Sequence, residues 1–318
     1  MAVYTKVTKE KLLNFLNNYN IGNLIKFEGI LEGVENTNYK LTTKKNNFIL
    51  TIFEKRVETH ELPFFIKLQN HLFNKKIKCP QPILDNNKNF VNYIDDKSCV
   101  IMSFLEGKQI IDANLENCIQ VGEELGKIHK HTKDFPLNRR NNLSNVDWKK
   151  IFQKCDKKIV KKEMYELIEN ELAYLEINWP KNLPTGIIHA DLFQDNVFFI
   201  NQKLSGIIDF YFACTDFYAY ELAICINAWC FDKNKNFNKL KYQSILKGYQ
   251  TYRKLQNEET KSIQILLRGA AMRFLLTRLY DQINHPDGAL VNPKDPTEYF
   301  NILNFHRMNQ KNKDFYDY

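Results

Sequence analysis

The sequence predicts an α+β chain in two lobes: an N-terminal antiparallel sheet of five strands with one helix inserted, then a mostly helical C-terminal lobe. Three observations predict it. Strand-like runs joined by short polar turns dominate the first hundred residues. From about residue 115 onward, apolar positions recur at helical spacing. One polar loop between two apolar runs, within 186–212, interrupts the helical part. A chain of 318 residues can bury two cores, and a hinge at about 102–107 divides residues 1–104 from 105–318.

Thr8 caps a helix whose Leu12, Leu13, Leu16 and Tyr19 share one face, and Gly22 ends it. Runs at 24–31, 36–43 and 48–53 make a meander, the last two joined by the turn former Lys44-Lys45-Asn46-Asn47. A helix over 59–74 places Glu61, Phe65, Leu68 and Leu72 on adjacent turns and stops before Pro80 and Pro82. Strands at 91–94 and 98–104 complete the sheet, and Leu105-Glu106-Gly107 leads out of it. Beyond the hinge, Ile119, Gly122, Leu125, Gly126 and His129 lie on one helix face; the glycines permit close approach to a neighbour, and His129 reads as a buried packing residue. Helical patterns continue over 148–175, 217–230, 238–254 and 258–283, with no repeat or low-complexity linker between them.

Composition excludes several functions. The net charge of +8 comes from 45 basic and 37 acidic residues scattered along the chain, a solvated surface rather than the one-sided stripe that nucleic-acid binding requires. The N-terminal stretch carries no apolar signal core, and the most apolar run, 222–231, falls short of the ~20 residues a bilayer demands. Seven irregularly spaced cysteines form neither a disulfide frame nor a metal motif and read as reduced core thiols of a cytoplasmic protein. Oligomeric state stays open between monomer and dimer.

Chemistry concentrates in Gly186-Ile187-Ile188-His189-Ala190-Asp191-Leu192-Phe193-Gln194-Asp195-Asn196 and in Ile207-Ile208-Asp209. One apolar run delivers His189 and Asp191 into a loop that Asn196 closes, and a second ends at Asp209. Moving a phosphoryl group from ATP to a hydroxyl needs a carboxylate beside the attacking oxygen and oxygen ligands for Mg²⁺ on the phosphates. Asp191 fits the first role, while Asn196 and Asp209 supply the hard donors Mg²⁺ prefers. His189 braces the loop. As plain turn formers, Asp191 and Asn196 would make only a polar hairpin; five matched positions in strand context favour catalysis. Gly29 and Gly33 stand where a flexible turn would cover phosphates, and backbone groups of Ser103, Phe104 and Leu105 would read adenine at the hinge.

These motifs resemble the catalytic half of the protein-kinase signature, without the Arg after His or the Gly after Asp-Phe, departures that point to small-molecule kinases. From Met1 to about His306 the chain resembles the aminoglycoside-phosphotransferase and choline-kinase-like group, which shares the protein-kinase fold, and within it the bacterial ATP-dependent homoserine kinases. The narrower resemblance rests on Gly33-Val34-Glu35-Asn36, 50–56, Leu62-Pro63-Phe64-Phe65, 189–199, 209–214, 227–231 and 273–281. It implies a two-lobed kinase-like fold, ATP and Mg²⁺, and transfer to L-homoserine giving O-phospho-L-homoserine, the step feeding threonine synthesis. Two departures stand out. Thr51 occupies a place where many relatives carry a phosphate-pairing Lys or Arg, which leaves Lys55 or Arg56 for that task, with Glu61 as partner. Glu221 stands where relatives carry Asp and reads as a loop anchor, with binding of a substrate ammonium as the rival.

Alternatives remain at this point. Tyr211, Phe212, Phe217, Tyr218, Tyr220 and Trp229 offer enough rings for a choline-type cage. An aminoglycoside kinase would want an acidic groove, at odds with a positive chain. A kinase fold without catalysis, used as a binding module, is disfavoured by the presence of Asp191, Asn196 and Asp209 together. A substrate carboxylate suits an arginine fork. On the 258–283 helix, at about 100° per residue, Arg278 falls within the stripe of Leu267, Ala270, Ala271, Phe274 and Leu275; Arg268 lies at its edge, and Arg273 points away. Arg278 is therefore the first candidate and Arg268 the second, each with an internal carboxylate such as Asp216 or Glu221 as the alternative partner.

Overall fold

The structure, a computed structural model, describes residues 4–30, 36–54, 58–232, 235–285 and 292–310. It divides into two compact units, Met1–Gly107 with Ser205–Tyr211, and Lys108–Leu204 with Phe212–Tyr318.

The first unit is built on five antiparallel strands, β1 (Leu24–Gly29), β2 (Thr37–Thr43), β3 (Asn47–Ile52), β4 (Val91–Ile94) and β5 (Lys97–Ser103), in the order β1-β2-β3-β5-β4. Strict alternation of burial along β2 places Tyr39 and Leu41 inward. With Leu50, Ile101 and Cys99 they form one core, which α1 (Lys9–Leu16) closes with Leu12, Phe15 and Leu16. Thr8 caps this helix, its hydroxyl accepting the Lys11 N–H at 3.3 Å. Leu62 and Ile66 of α2 (Leu62–Asn74) build a second cluster with Phe53, Val100 and Met102. The helix expected from 59 opens as a 3₁₀ turn, Thr59–Glu61, and becomes α-helical at Leu62, where Pro63 in the first turn has no N–H to leave unsatisfied.

In the second unit α3 (Leu115–His131), with a capping box from Asn114 and Asn117, packs against α7 (Lys239–Tyr252). A Cβ on Gly122 would lie 2.1 Å from the Ile245 carbonyl oxygen, and one on Gly248 would lie 2.0 Å from that of Ile119, so each glycine admits the other helix's backbone. The helical region expected over 148–175 is two helices, α4 (Asn145–Gln153) and α5 (Lys162–Asn178). Between them the Asp156 carboxylate accepts the Lys158 N–H at 2.9 Å, a local bond that competes with helix continuation. β6 (Thr185–Ile188) pairs antiparallel with β9 (Cys214–Phe217). β7 (Val197–Ile200) is followed by Asn201 and Gln202, both left-handed at φ 48° and 63°, and by β8 (Lys203–Ile207), whose residues from Ser205 on belong to the first unit. Then come α6 (Tyr218–Trp229) and α8 (Asn257–Ile283). One helix was not expected: α9 (Thr297–Met308), whose buried Tyr299, Ile302, Leu303 and His306 nevertheless recur at helical spacing.

α8 is the central helix of this unit, contacted by α4, α5, α6 and α9. Its sequence stripe suggested one buried face, but burial from four neighbours encloses Arg268, Arg273 and Arg278 alike. Arg273, expected to point away from the core, is 2% exposed.

Candidate active site

β6 ends at Ile188, and the chain turns sharply through Ala190, a non-glycine residue held left-handed at φ 65°. This turn presents Asp191. The His189 Nδ1 accepts the Asp191 N–H at 3.2 Å, which ties the imidazole to the loop it follows. Asn196, at the end of a 3₁₀ turn, donates its amide N–H groups to the Asp191 carbonyl at 2.8 Å and carboxylate at 3.1 Å, leaving its amide oxygen as the atom open to a cation. Trp229 pins the same loop by donating its indole N–H to the Leu192 carbonyl at 2.9 Å.

Charge around Asp191 is arranged with equal economy of parts. Burial raises its carboxyl above the ordinary value; the Arg273 guanidinium pulls the other way, Asp195 adds to the rise, and Lys294 and Asn196 oppose it. Lys294 lies 3.0 Å from Asp195. Phe193 packs edge-on against Phe274, with ring centres 4.8 Å apart, and Phe274 against Tyr299 at 5.1 Å, so α8 and α9 wall this side of the loop.

Glu221, fully buried near the start of α6, accepts the Ala190 N–H at 2.5 Å. Burial pushes its carboxyl up to about 7, against the Ala190 hydrogen bond and Arg273. Arg273 donates from Nη1 to the Ala190 carbonyl, while its Nε has no partner among the described residues. Sequence reasoning gave Arg273 no role. Its signal was present only as a charge inside an apolar helix, where a buried cation needs a reason.

The other arginines of α8 have carboxylate partners. Arg268 holds Glu171 with two bonds of 2.6 Å, and Arg307 sits 3.0 Å from the same carboxylate. Among the described residues Arg278 donates from Nη1, toward Glu298 at 2.7 Å and the Asp295 carbonyl at 3.2 Å, and it lies 4.5 Å over the Tyr299 ring. Its internal partner is neither Asp216 nor Glu221.

Asp209 belongs to the first unit, left-handed at φ 64° after a strand whose Ile207 N–H bonds the Lys78 carbonyl. Beside it Tyr211 packs edge-on between Phe53 and Phe65, at 5.2 and 5.7 Å. In the segment 103–105, where the sequence placed a hinge, the Ser103 N–H bonds the Gln81 carbonyl at 2.8 Å and the Phe104 N–H the Asn47 carbonyl at 3.2 Å, and Leu105 N–H has no partner among the described residues. Gly29 pairs with Tyr39 at the end of β1. Gly33, Lys55 and Arg56 lie outside the described residues, and Thr51 bonds Asn38 at 2.8 Å. Among the rings considered for a quaternary-ammonium cage, Tyr220 and Trp229 are fully buried core residues. A cavity of about 680 Å³ lined by Lys130, Lys133, Gly186, Tyr218 and Arg253 contains neither Asp191 nor Asn196 and is separate from this loop.

Residues 26–256 match the model of a phosphotransferase enzyme family. The chain is 48% identical to the homoserine kinase of Bartonella henselae over 307 residues, 96% of each length, and 46% identical to that of Xanthobacter autotrophicus over 317 residues, 99% of each. The chain belongs to the homoserine kinases of this phosphotransferase family. Solved structures share its fold at low identity. A spectinomycin phosphotransferase bound to ADP and spectinomycin superposes with a TM-score of 0.71 at 12% identity over 95% of both chains. Choline kinase from Cryptosporidium parvum does so at 0.67 and 16%, over 96% of both. The expected fold class, a kinase-like α+β architecture with a five-stranded antiparallel sheet and a helical C-terminal part, is the one observed. The enzyme class is that of an ATP-dependent kinase. No helix among the described residues is long and apolar enough to cross a membrane.

Proposed function

We infer that this chain transfers the γ-phosphoryl group of ATP to the side-chain hydroxyl of L-homoserine, giving ADP and O-phospho-L-homoserine, in the cytoplasm as a step toward threonine. The observation that carries this reading is similarity of 46–48% to homoserine kinases over nearly their whole length. The loop chemistry agrees with it. Asp191 accepts the hydroxyl proton as the substrate oxygen forms its bond to phosphorus and the bond to the ADP oxygen breaks. Asn196 and Asp191 fix each other's orientation, so the base is aimed before substrate arrives.

The donor set fits Mg²⁺ brought in with the nucleotide. No group of three or more His, Cys, Asp or Glu suited to a resident ion occurs among the described residues; the Asn196 amide oxygen and the Asp209 carboxylate, each a hard oxygen donor, are the residues that would hold the ion. When bound there, the ion supplies charge neutralisation on the phosphates. Arg278, with one nitrogen engaged by Glu298, is the proposed ligand of the homoserine carboxylate; Arg268 is already held bidentately by Glu171. ADP release over homoserine, serine, threonine, choline and an aminoglycoside tests the reading. The highest kcat/KM belongs to homoserine; a higher value for choline or the aminoglycoside would overturn it.

A further inference from the structure

Ala190 is held from both ends of its backbone. Its N–H goes to Glu221, a carboxylate on α6, and its carbonyl oxygen accepts from Arg273 on α8. All three residues are almost completely buried, at 1%, 0% and 2% exposure. The residue so held has φ 65°, a conformation that an alanine leaves readily and a glycine adopts freely. It immediately precedes Asp191, so a change at Ala190 would redirect the carboxylate that follows. Among the described residues Arg273 makes no hydrogen bond to a carboxylate oxygen and its Nε has no partner. An arginine kept only to neutralise a core acid would be expected to grip that acid through its fork, as Arg268 grips Glu171.

We propose that Arg273 is a positioning residue for phosphoryl transfer: it holds the Ala190 carbonyl against the opposing pull of Glu221 on the Ala190 N–H, keeps the residue left-handed, and so aims Asp191. Arg273 acts through the loop and touches no substrate. The inference rests on the phosphoryl-transfer reading of the loop, and its test separates the two.

Arg273→Met, which keeps the length and removes the donors, lowers kcat for homoserine phosphorylation by about 10²-fold, the scale of a small misplacement of a catalytic group. KM for homoserine and for ATP stays within about twofold. Adding Ala190→Gly to that variant recovers about tenfold of the lost kcat, because glycine takes the left-handed conformation without being held there. Backbone amide exchange over 189–196 accelerates in Arg273→Met and leaves α3 and α7 as they were. If Arg273→Met does not fold, Arg273→Lys serves with the same readouts: about a tenfold loss of kcat, recovered by Ala190→Gly. A rise in the homoserine KM with kcat intact would make Arg273 a substrate ligand and overturn the proposal, as would absence of recovery by Ala190→Gly with unchanged exchange in the loop. If the unaltered enzyme turned over no homoserine, the functional reading would fail, and the exchange measurement, which needs no substrate, would still decide whether Arg273 holds the loop.

Discussion

Arg268 and Arg273 lie on the same helix, are exposed to 3% and 2%, and are held in opposite ways. Arg268 faces Glu171 with two short parallel bonds, and Arg307 and Gln310 join the network, so its charge and donors are answered inside the core. Arg273 faces a backbone carbonyl of the candidate catalytic loop and, among the described residues, shares the field of Glu221 and Asp191 without a fork-to-fork pair. Burial alone therefore does not distinguish the two cations; the accepting atom does, a core carboxylate for Arg268 and a loop carbonyl for Arg273. On the positioning proposal, apolar replacement of the Glu171 network would spare the loop, whereas nothing apolar could replace the donor to the Ala190 carbonyl.

The variant with the largest expected effect sets the scale for that contrast. Asp191→Asn keeps the shape of the loop and removes the proton acceptor, so kcat falls by roughly 10²–10⁴-fold with the melting temperature nearly unchanged. Steady-state rates with homoserine, alongside a thermal melt, check it. A near-normal kcat would remove Asp191 from its role and with it the reason for holding Ala190.

A smaller effect lies in the pH dependence of stability. Burial raises the Glu221 carboxyl from 4.5 to about 7 in the folded chain. Between those values the folded chain binds a proton that the unfolded chain has released, so this group's contribution is fully present below about pH 4.5, declines as pH rises, and is flat above about 7. The decline amounts to roughly 3 kcal/mol. Glu221→Gln, which keeps an acceptor for the Ala190 N–H, removes that slope, and urea midpoints at pH 5 and pH 8 measure it. An equal slope in the variant would place the titrating group elsewhere.

The smallest expected effect concerns Arg278, intermediate between the other two because one nitrogen is engaged and its partner Glu298 is 40% exposed. Arg278→Lys raises KM for homoserine about tenfold and leaves KM for ATP unchanged, since an ammonium cannot reproduce a bidentate grip. Unequal changes in the reverse sense would remove Arg278 from the substrate.

The geometry of the candidate loop was legible in the sequence because its polar residues fall in one short segment between apolar runs. The proposed base, its imidazole neighbour and the amide must sit close along the chain, and His189, Asp191 and Asn196 do so and are hydrogen-bonded to one another within the loop. The strands were legible for a similar reason: alternation along 37–43 depends on the sheet face alone. What escaped depends on partners distant in sequence. Arg268 meets Glu171 across 97 positions and Arg273 meets Ala190 across 83, and no periodicity reports such pairs. A helical wheel assumes one wet face, an assumption that α8 violates with neighbours on several sides. The break between α4 and α5 turns on one local carboxylate, Asp156, in a run rich in helix formers. By contrast α9 carried a readable apolar pattern, obscured by the prolines at 293 and 296 that precede it.

The contrast between the two arginines is tested most directly by measuring kcat and unfolding free energy side by side for Arg268→Met and Arg273→Met. Arg268→Met leaves Glu171 without its main partner and loses about 3–5 kcal/mol of stability, with kcat per folded molecule within about twofold of the parent. Arg273→Met loses about 10²-fold in kcat, out of proportion to its change in stability. Equal losses of turnover in both variants, or full turnover in Arg273→Met, would contradict the account.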